Sequence, residues 1–238
     1  MVVMATSALA PEAERGSNFD RRGAITRSLL GYGVIVGPLY LAVGIGQGLV
    51  RDGFDFGRHA LSHLANGAGG WVQVLNFALC GAMVIAAAVG IGRVIRPQSR
   101  ATSWFLGAFG ASMIAASVFR ADPADGFPGG TPPGMPGTMS TFGMLHFAVG
   151  GIGFLCLAIS GILAGFAMRR RGAGAMASFS FVAGVSVILG FFAPMLVPSV
   201  GPVAGIWFAV VMGWAWLALL SVHLYRASPD PNCSPSAR

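Results

Sequence analysis

The chain has 238 residues, 55% of them hydrophobic and only 10% charged, with a mean hydropathy of +0.72. That mixture excludes an ordinary soluble domain and indicates a membrane protein. The formal charge of +7 comes from fifteen arginines and no lysine, which reads as a topology signal rather than a nucleic-acid footprint.

Residues 1–27 are polar and lack an apolar core, so they read as a cytoplasmic tail with no cleaved signal peptide, and the first span is expected to act as signal anchor. Residues 28–225 read as one membrane domain of six helices, since each needs about 20 apolar residues to cross roughly 30 Å of hydrocarbon. The expected spans run from about Ser28 to Val50, Trp71 to Ile95, Ser103 to Phe119, Phe142 to Met168, Ala175 to Val197 and Pro202 to Tyr225. Arg169, Arg170 and Arg171 mark a boundary because burying them in lipid is too costly. Pro198 to Gly201 leave room only for a tight antiparallel turn. Residues 226–238 read as a disordered cytoplasmic tail.

With the N-terminus inside, twelve of the fifteen arginines fall on cytoplasmic segments and only Arg51, Arg58 and Arg120 fall outside. Both termini are therefore expected in the cytoplasm, in a multi-pass protein of the inner (plasma) membrane. The two connections of interest, 51–70 and 120–141, then lie on the outer face.

The first of these contains "DFGRHALSHLANG", residues 55 to 67. Read as a helix, it puts Asp52, Asp55, His59, His63 and Asn66 on one stripe, with Phe54, Leu61 and Leu64 pointing away. The expectation is a short interfacial helix on the outer face, polar stripe in water and leucines in lipid. His59 and His63 are also four apart, the spacing at which two imidazoles can reach one metal, with His146 as a third candidate. Since the Glu of HExxH is missing, the reading is no metal and no cofactor.

The second outer connection, "RADPADGFPGGTPPGMPGTMST", is rich in proline and glycine and longer than most connections. Phe127 and the acidic pair Asp122 and Asp125 suggest a segment folded back as an ordered lid. Gln73 and Asn76 near the start of span two, and His146 near the start of span four, enter the membrane at similar depth. They form either an interhelical hydrogen bond or part of a shared pocket. Arg58 is expected to pair with Asp122 or Asp125 if these groups meet. Cys80 and Cys156 lie inside spans and read as small packing groups, and no disulfide framework is present. Gly161 and Gly165, four apart, read as helix packing within one bundle, with a dimer face as the alternative.

The phrases "RHALSHLANG", "GWVQVLNF", "DPADGFPGGTP" and "GMLHFAVGG", in this order, resemble a bacterial membrane family known as domain of unknown function 998. The resemblance spans residues 28 to 225 and implies a six-span bundle without an assigned role. By it, Arg58, His59, Ser62, Gln73, Asn76, Asp122, Phe127 and His146 fall on motif positions. His63 stands where that family commonly carries an apolar residue, which argues against a two-histidine metal site.

Two functional readings follow. One is a non-catalytic binder of membrane lipid or a small molecule, using an outer-face polar pocket; the other is a membrane enzyme acting on a lipid or isoprenoid group at the outer leaflet. In the second, His59 or His146 would be the general base and Asp122 or Asp125 its partner; Ser62 lacks a GxSxG elbow. A transporter is less attractive because no charged residue sits in the middle of a span. His146 and His223 lie at opposite ends of their spans, too far apart to share a haem.

Overall fold

In hydrocarbon every backbone N–H and C=O must be satisfied within the chain, so long apolar segments become helices. A computed structural model describes residues 20–134, 136–196 and 202–230. It holds six helices: α1 (Arg21–Val50), α2 (Gly70–Ile95), α3 (Ala101–Val118), α4 (Thr141–Arg170), α5 (Gly174–Leu196) and α6 (Pro202–Ala227). All six are long and apolar enough to cross a membrane, and the chain is a multi-pass, all-α membrane protein. The expected Pro198–Gly201 turn lies outside the described residues, as do residues 231–238 of the expected tail.

Helix α1 starts at Arg21, seven residues before the expected start of the first span at Ser28. Asp20 caps it, its carboxylate accepting the N–H groups of Arg22 and Gly23, so a polar turn is added to the helix outside the apolar run. Helix α6 likewise carries Arg226 and Ala227 beyond the last expected apolar residue.

Each helix packs on its neighbours in sequence, and α6 returns to α1, so the six form a closed ring. Glycines set the closest crossings. A Cβ on Gly81 of α2 would sit 2.6 Å from the Gly110 carbonyl oxygen of α3, and one on Gly161 of α4 would sit 3.2 Å from the Gly184 Cα of α5. The Gly161 and Gly165 face is thus spent inside the bundle, since Gly165 lies against the Phe181 ring. The outward surface is apolar, with Trp71 at the start of α2 and Trp104 at the start of α3 both exposed. They lie at opposite ends of the ring, as interfacial tryptophans do.

The two ends differ. At the arginine end, Arg170 donates to the Gln98 carbonyl and Arg171 to the Val94 carbonyl, tying the end of α4 to the last turn of α2 and the α2–α3 connection. Arg27 lies 4.4 Å above the Tyr225 ring and 3.6 Å from the Asp230 carboxylate, joining α1 to the end of α6. The loop end carries the two long connections, 51–69 and 119–140.

The interfacial helix expected over the first connection is not there. Gly53 and Gly67 adopt positive φ, and the Asp55 carbonyl accepts from both Arg58 and His59 in a tight turn. Only Leu61–Ala65 winds into a single 3-10 turn. Leu61 and Leu64 are buried in the protein rather than in lipid, and His59 is fully buried rather than wetted. The helical stripe fails because the segment is ordered by distant contacts, not by its own periodicity.

Candidate functional site

His59 is the hinge point of the loop end. Its Nδ1 accepts the Asp55 N–H at 2.9 Å, which leaves Nε2 to donate to the Asp125 carbonyl at 3.2 Å. Phe54 and Phe127 flank the ring at centroid distances of 5.3 and 5.5 Å. Phe127, 1% exposed, thereby docks the second connection onto the first. Arg51 stacks over the other side of that contact, 5.1 Å from the Phe127 ring, while donating to the carbonyls of Leu64 and Asn66. Asn66 in turn donates to the Ala121 carbonyl.

Within the second connection, Ala124 and Phe127 exchange backbone hydrogen bonds, and Asp125 and Gly126 donate to Gly134 and Pro132. Asp125 stands at φ +51, a left-handed position that Asp tolerates better than most residues. Asp122 braces the start of α4: its carboxylate accepts both the backbone N–H and the hydroxyl of Ser140, whose hydroxyl oxygen caps Gly143.

Beneath these connections lies a cavity of about 570 Å³. Ala60, Leu61, Ser62 and His63 form part of its roof, with Arg58 and Asp125 at the rim and His146 on the wall. Deeper, the lining turns apolar and aromatic: Phe109, Phe154, Leu157, Phe191 and Trp214. His146 and Leu157 both line it and are eleven residues apart on α4, so it reaches about 16 Å along the bundle.

The polar atoms of this lining are unevenly used. His146 Nδ1 donates to the Phe119 carbonyl at 2.8 Å, leaving Nε2 as an acceptor. His63 Nδ1 and Trp207 Nε1 are buried without a hydrogen-bond partner among the described residues. Burial, reinforced by His59, pushes the His63 imidazole down to about 4, and the nearby Ala60 carbonyl opposes this without reaching hydrogen-bond geometry. The Asp55 carboxyl is held below the usual range by the Gly57 N–H and by Arg58.

Of the residues singled out in the sequence, Arg58, Ser62, Asp125 and His146 come together on the cavity, and so does His63. His59 and Phe127 sit behind the roof and hold it. Gln73 and Asn76 form an interhelical network: Gln47 donates to Gln73 Oε1, and Asn76 donates to the Tyr40 carbonyl and to Gln73. The expected ion pair is corrected. Arg58 pairs with Asp55 at 2.9 Å and not with Asp122 or Asp125, because the turn at Asp55 brings its carboxylate three residues away. Ser112 and Trp207 carry no sequence signal that sets them apart, and Arg51 and Phe54 stand out there only as an outer-face arginine and an apolar-face residue; the short spacing of Phe54 and Phe56 inside a polar segment is the one signal for a buried turn. Among the described residues no three His, Cys, Asp or Glu side chains converge as a metal site.

The family model described as "Protein of unknown function (DUF998)" matches residues 34–223. No curated protein and no solved structure matches the chain.

Proposed function

The chain belongs to this family of proteins of unknown function, and on that premise we propose that it is a binding protein for an amphiphilic molecule of the membrane. The observation that carries this is the cavity. Its volume of about 570 Å³ falls within the roughly 300–1,000 Å³ of small-molecule sites. Its polar rim and aromatic depth match a head and an apolar body. We further propose that the loop end faces the outside of a bacterial plasma membrane, with both termini in the cytoplasm. The concentration of arginines at the opposite end supports that orientation.

The alternative, an enzyme acting on a lipid or isoprenoid group, rests on His146 as a base with a free Nε2. What weakens it is the missing partner. His146 is oriented by a backbone carbonyl rather than a carboxylate, and the Asp122 carboxylate is engaged by Ser140.

The test is organic extraction of the purified full chain followed by mass spectrometry, on wild type and Gly150→Phe. Gly150 lines the cavity, and a Cβ there meets nothing within 4 Å, so phenylalanine can occupy the space without forcing the backbone. A molecule that copurifies with wild type and is absent from Gly150→Phe is the expected result. Identical extracts from the two would overturn the binding reading.

A further inference from the structure

The rim of the cavity carries information about the head of its ligand. A phosphoryl or carboxylate head buried at a membrane protein's rim needs a cation or several N–H donors free to meet it. Here the cation on the lining is Arg58, and its guanidinium is bonded to the Asp55 carboxylate at 2.9 Å, with most of its side chain exposed. Arg51, behind the roof, is committed to the carbonyls of Leu64 and Asn66. Asp125 adds a negative carboxyl to the same rim. The local field therefore opposes an anion.

The lining instead offers neutral hydrogen-bonding groups with unused capacity. Trp207 Nε1 is a donor, buried on the wall near the start of α6 with no acceptor among the described residues. His146 Nε2 is an acceptor once Nδ1 has donated to Phe119. Ser62 on the roof and Ser112 deeper on α3 add hydroxyls that can work either way, although Ser112 already donates to Phe109. Leaving a buried donor unmet is costly; an uncharged hydroxyl head gives Trp207 the acceptor it lacks and can donate its own hydrogen to His146 Nε2. His63 stays uncharged beside it at neutral pH, which keeps the rim suited to a neutral group.

We infer that the ligand of this cavity is an uncharged amphiphile with a hydroxyl-bearing head, the class of long-chain alcohols and monoacylglycerols, and not an anionic phospholipid. This rests on the binding reading above and adds the chemistry of the head. Trp207 and His146 are the residues that read it, and the aromatic depth takes the chain.

The experiment offers full-length protein, in an amine-oxide detergent whose head has no hydroxyl, an equal mixture of a monoacylglycerol and the lysophosphatidylglycerol of the same chain. Native mass spectrometry reads which is retained. Wild type should hold the monoacylglycerol in clear excess. Trp207→Phe, which keeps the ring and deletes the N–H, should lower its retention about fivefold, as loss of one hydrogen bond predicts. Gly150→Phe, and Ala116→Leu as a second blocking variant on α3, should abolish retention of either lipid. Equal or preferred retention of the lysophosphatidylglycerol, lost in both blocking variants, would overturn the neutral head and leave the binding reading standing. Unchanged selectivity and retention in Trp207→Phe would also overturn it. Retention that neither blocking variant reduces would sink both readings.

Discussion

His59 and Asp125, sixty-six residues apart in sequence, are joined by a hydrogen bond from the imidazole Nε2 to the backbone carbonyl. This bond couples the two connections that cover the cavity, and it depends on the histidine ring and on the path of the main chain at 125. His59→Phe should therefore remove about 1–3 kcal/mol, because it strands the part-buried Asp55 N–H and Asp125 carbonyl against an apolar ring. Asp125→Gly keeps the carbonyl and suits the positive φ, so it should be close to neutral. Apparent melting temperatures in detergent check the contrast; equal losses in the two variants would refute the role given to the ring.

Acid should loosen the loop end through His63. Its imidazole sits at about 4 in the folded chain against an ordinary value of 6.5, so the unfolded chain takes up the proton first. Stability is complete above about pH 6.5 and declines as pH falls toward 4, by on the order of 3 kcal/mol. The groups acting on the ring are His59, His146 and Asp125. Asp55, held below 3.8, loses its contribution only at more acid pH, beneath this window. His63→Leu should flatten the decline between pH 6.5 and 4. An unchanged pH profile in that variant would assign the acid sensitivity elsewhere.

Arg51→Lys should cost about 1–2 kcal/mol despite keeping the charge. The guanidinium donates to two carbonyls while its plane covers Phe127, and an ammonium cannot do both. Thermal unfolding of Arg51→Lys beside Arg51→Met measures this. A lysine variant as stable as wild type would show that charge alone is required.

The proposed orientation is open to single-cysteine labelling in a variant without the native cysteines. Gly129 and Gly174 are suitable sites, since a Cβ at either meets nothing within 4 Å and neither requires positive φ. In intact cells an impermeant thiol reagent should reach Gly129→Cys and not Gly174→Cys. The reverse pattern would invert the topology.

The helices were readable in the sequence almost to the residue, because an apolar run in lipid has few alternatives to an α-helix. Expected and observed ends of α2 differ by one residue, and those of α3 by two or fewer. Where α1 and α6 run past their apolar stretches, the extra turns hold Arg21, Arg22 and Arg226, which a hydropathy rule leaves out. The loop end was legible only in its parts list. Arg58, Ser62, Asp125 and His146 were picked out, but their grouping was not, because it depends on a turn at Asp55 and on Phe127 docking from seventy residues away. Periodicity assumed a regular element for residues 52–66; glycines at positive φ and buried aromatics imposed an irregular one. Trp207 looked like ordinary span composition, and only its unmatched N–H sets it apart.

The closed ring also prescribes an order of events during synthesis. Since the most extensive helix contacts are between chain neighbours, each helix entering the membrane finds its main partner already in place. The main exception is the seam between α1 and α6, fastened by Arg27 on Tyr225. Val203, Ile206, Trp207 and Val210 of α6 supply a wall of the cavity, so until α6 arrives the cavity is an open trough facing lipid. Synthesis of α6 therefore completes the wall of the cavity. On the proposed binding reading, a ligand can be enclosed as the seam shuts, with no later gate needed for the first occupancy.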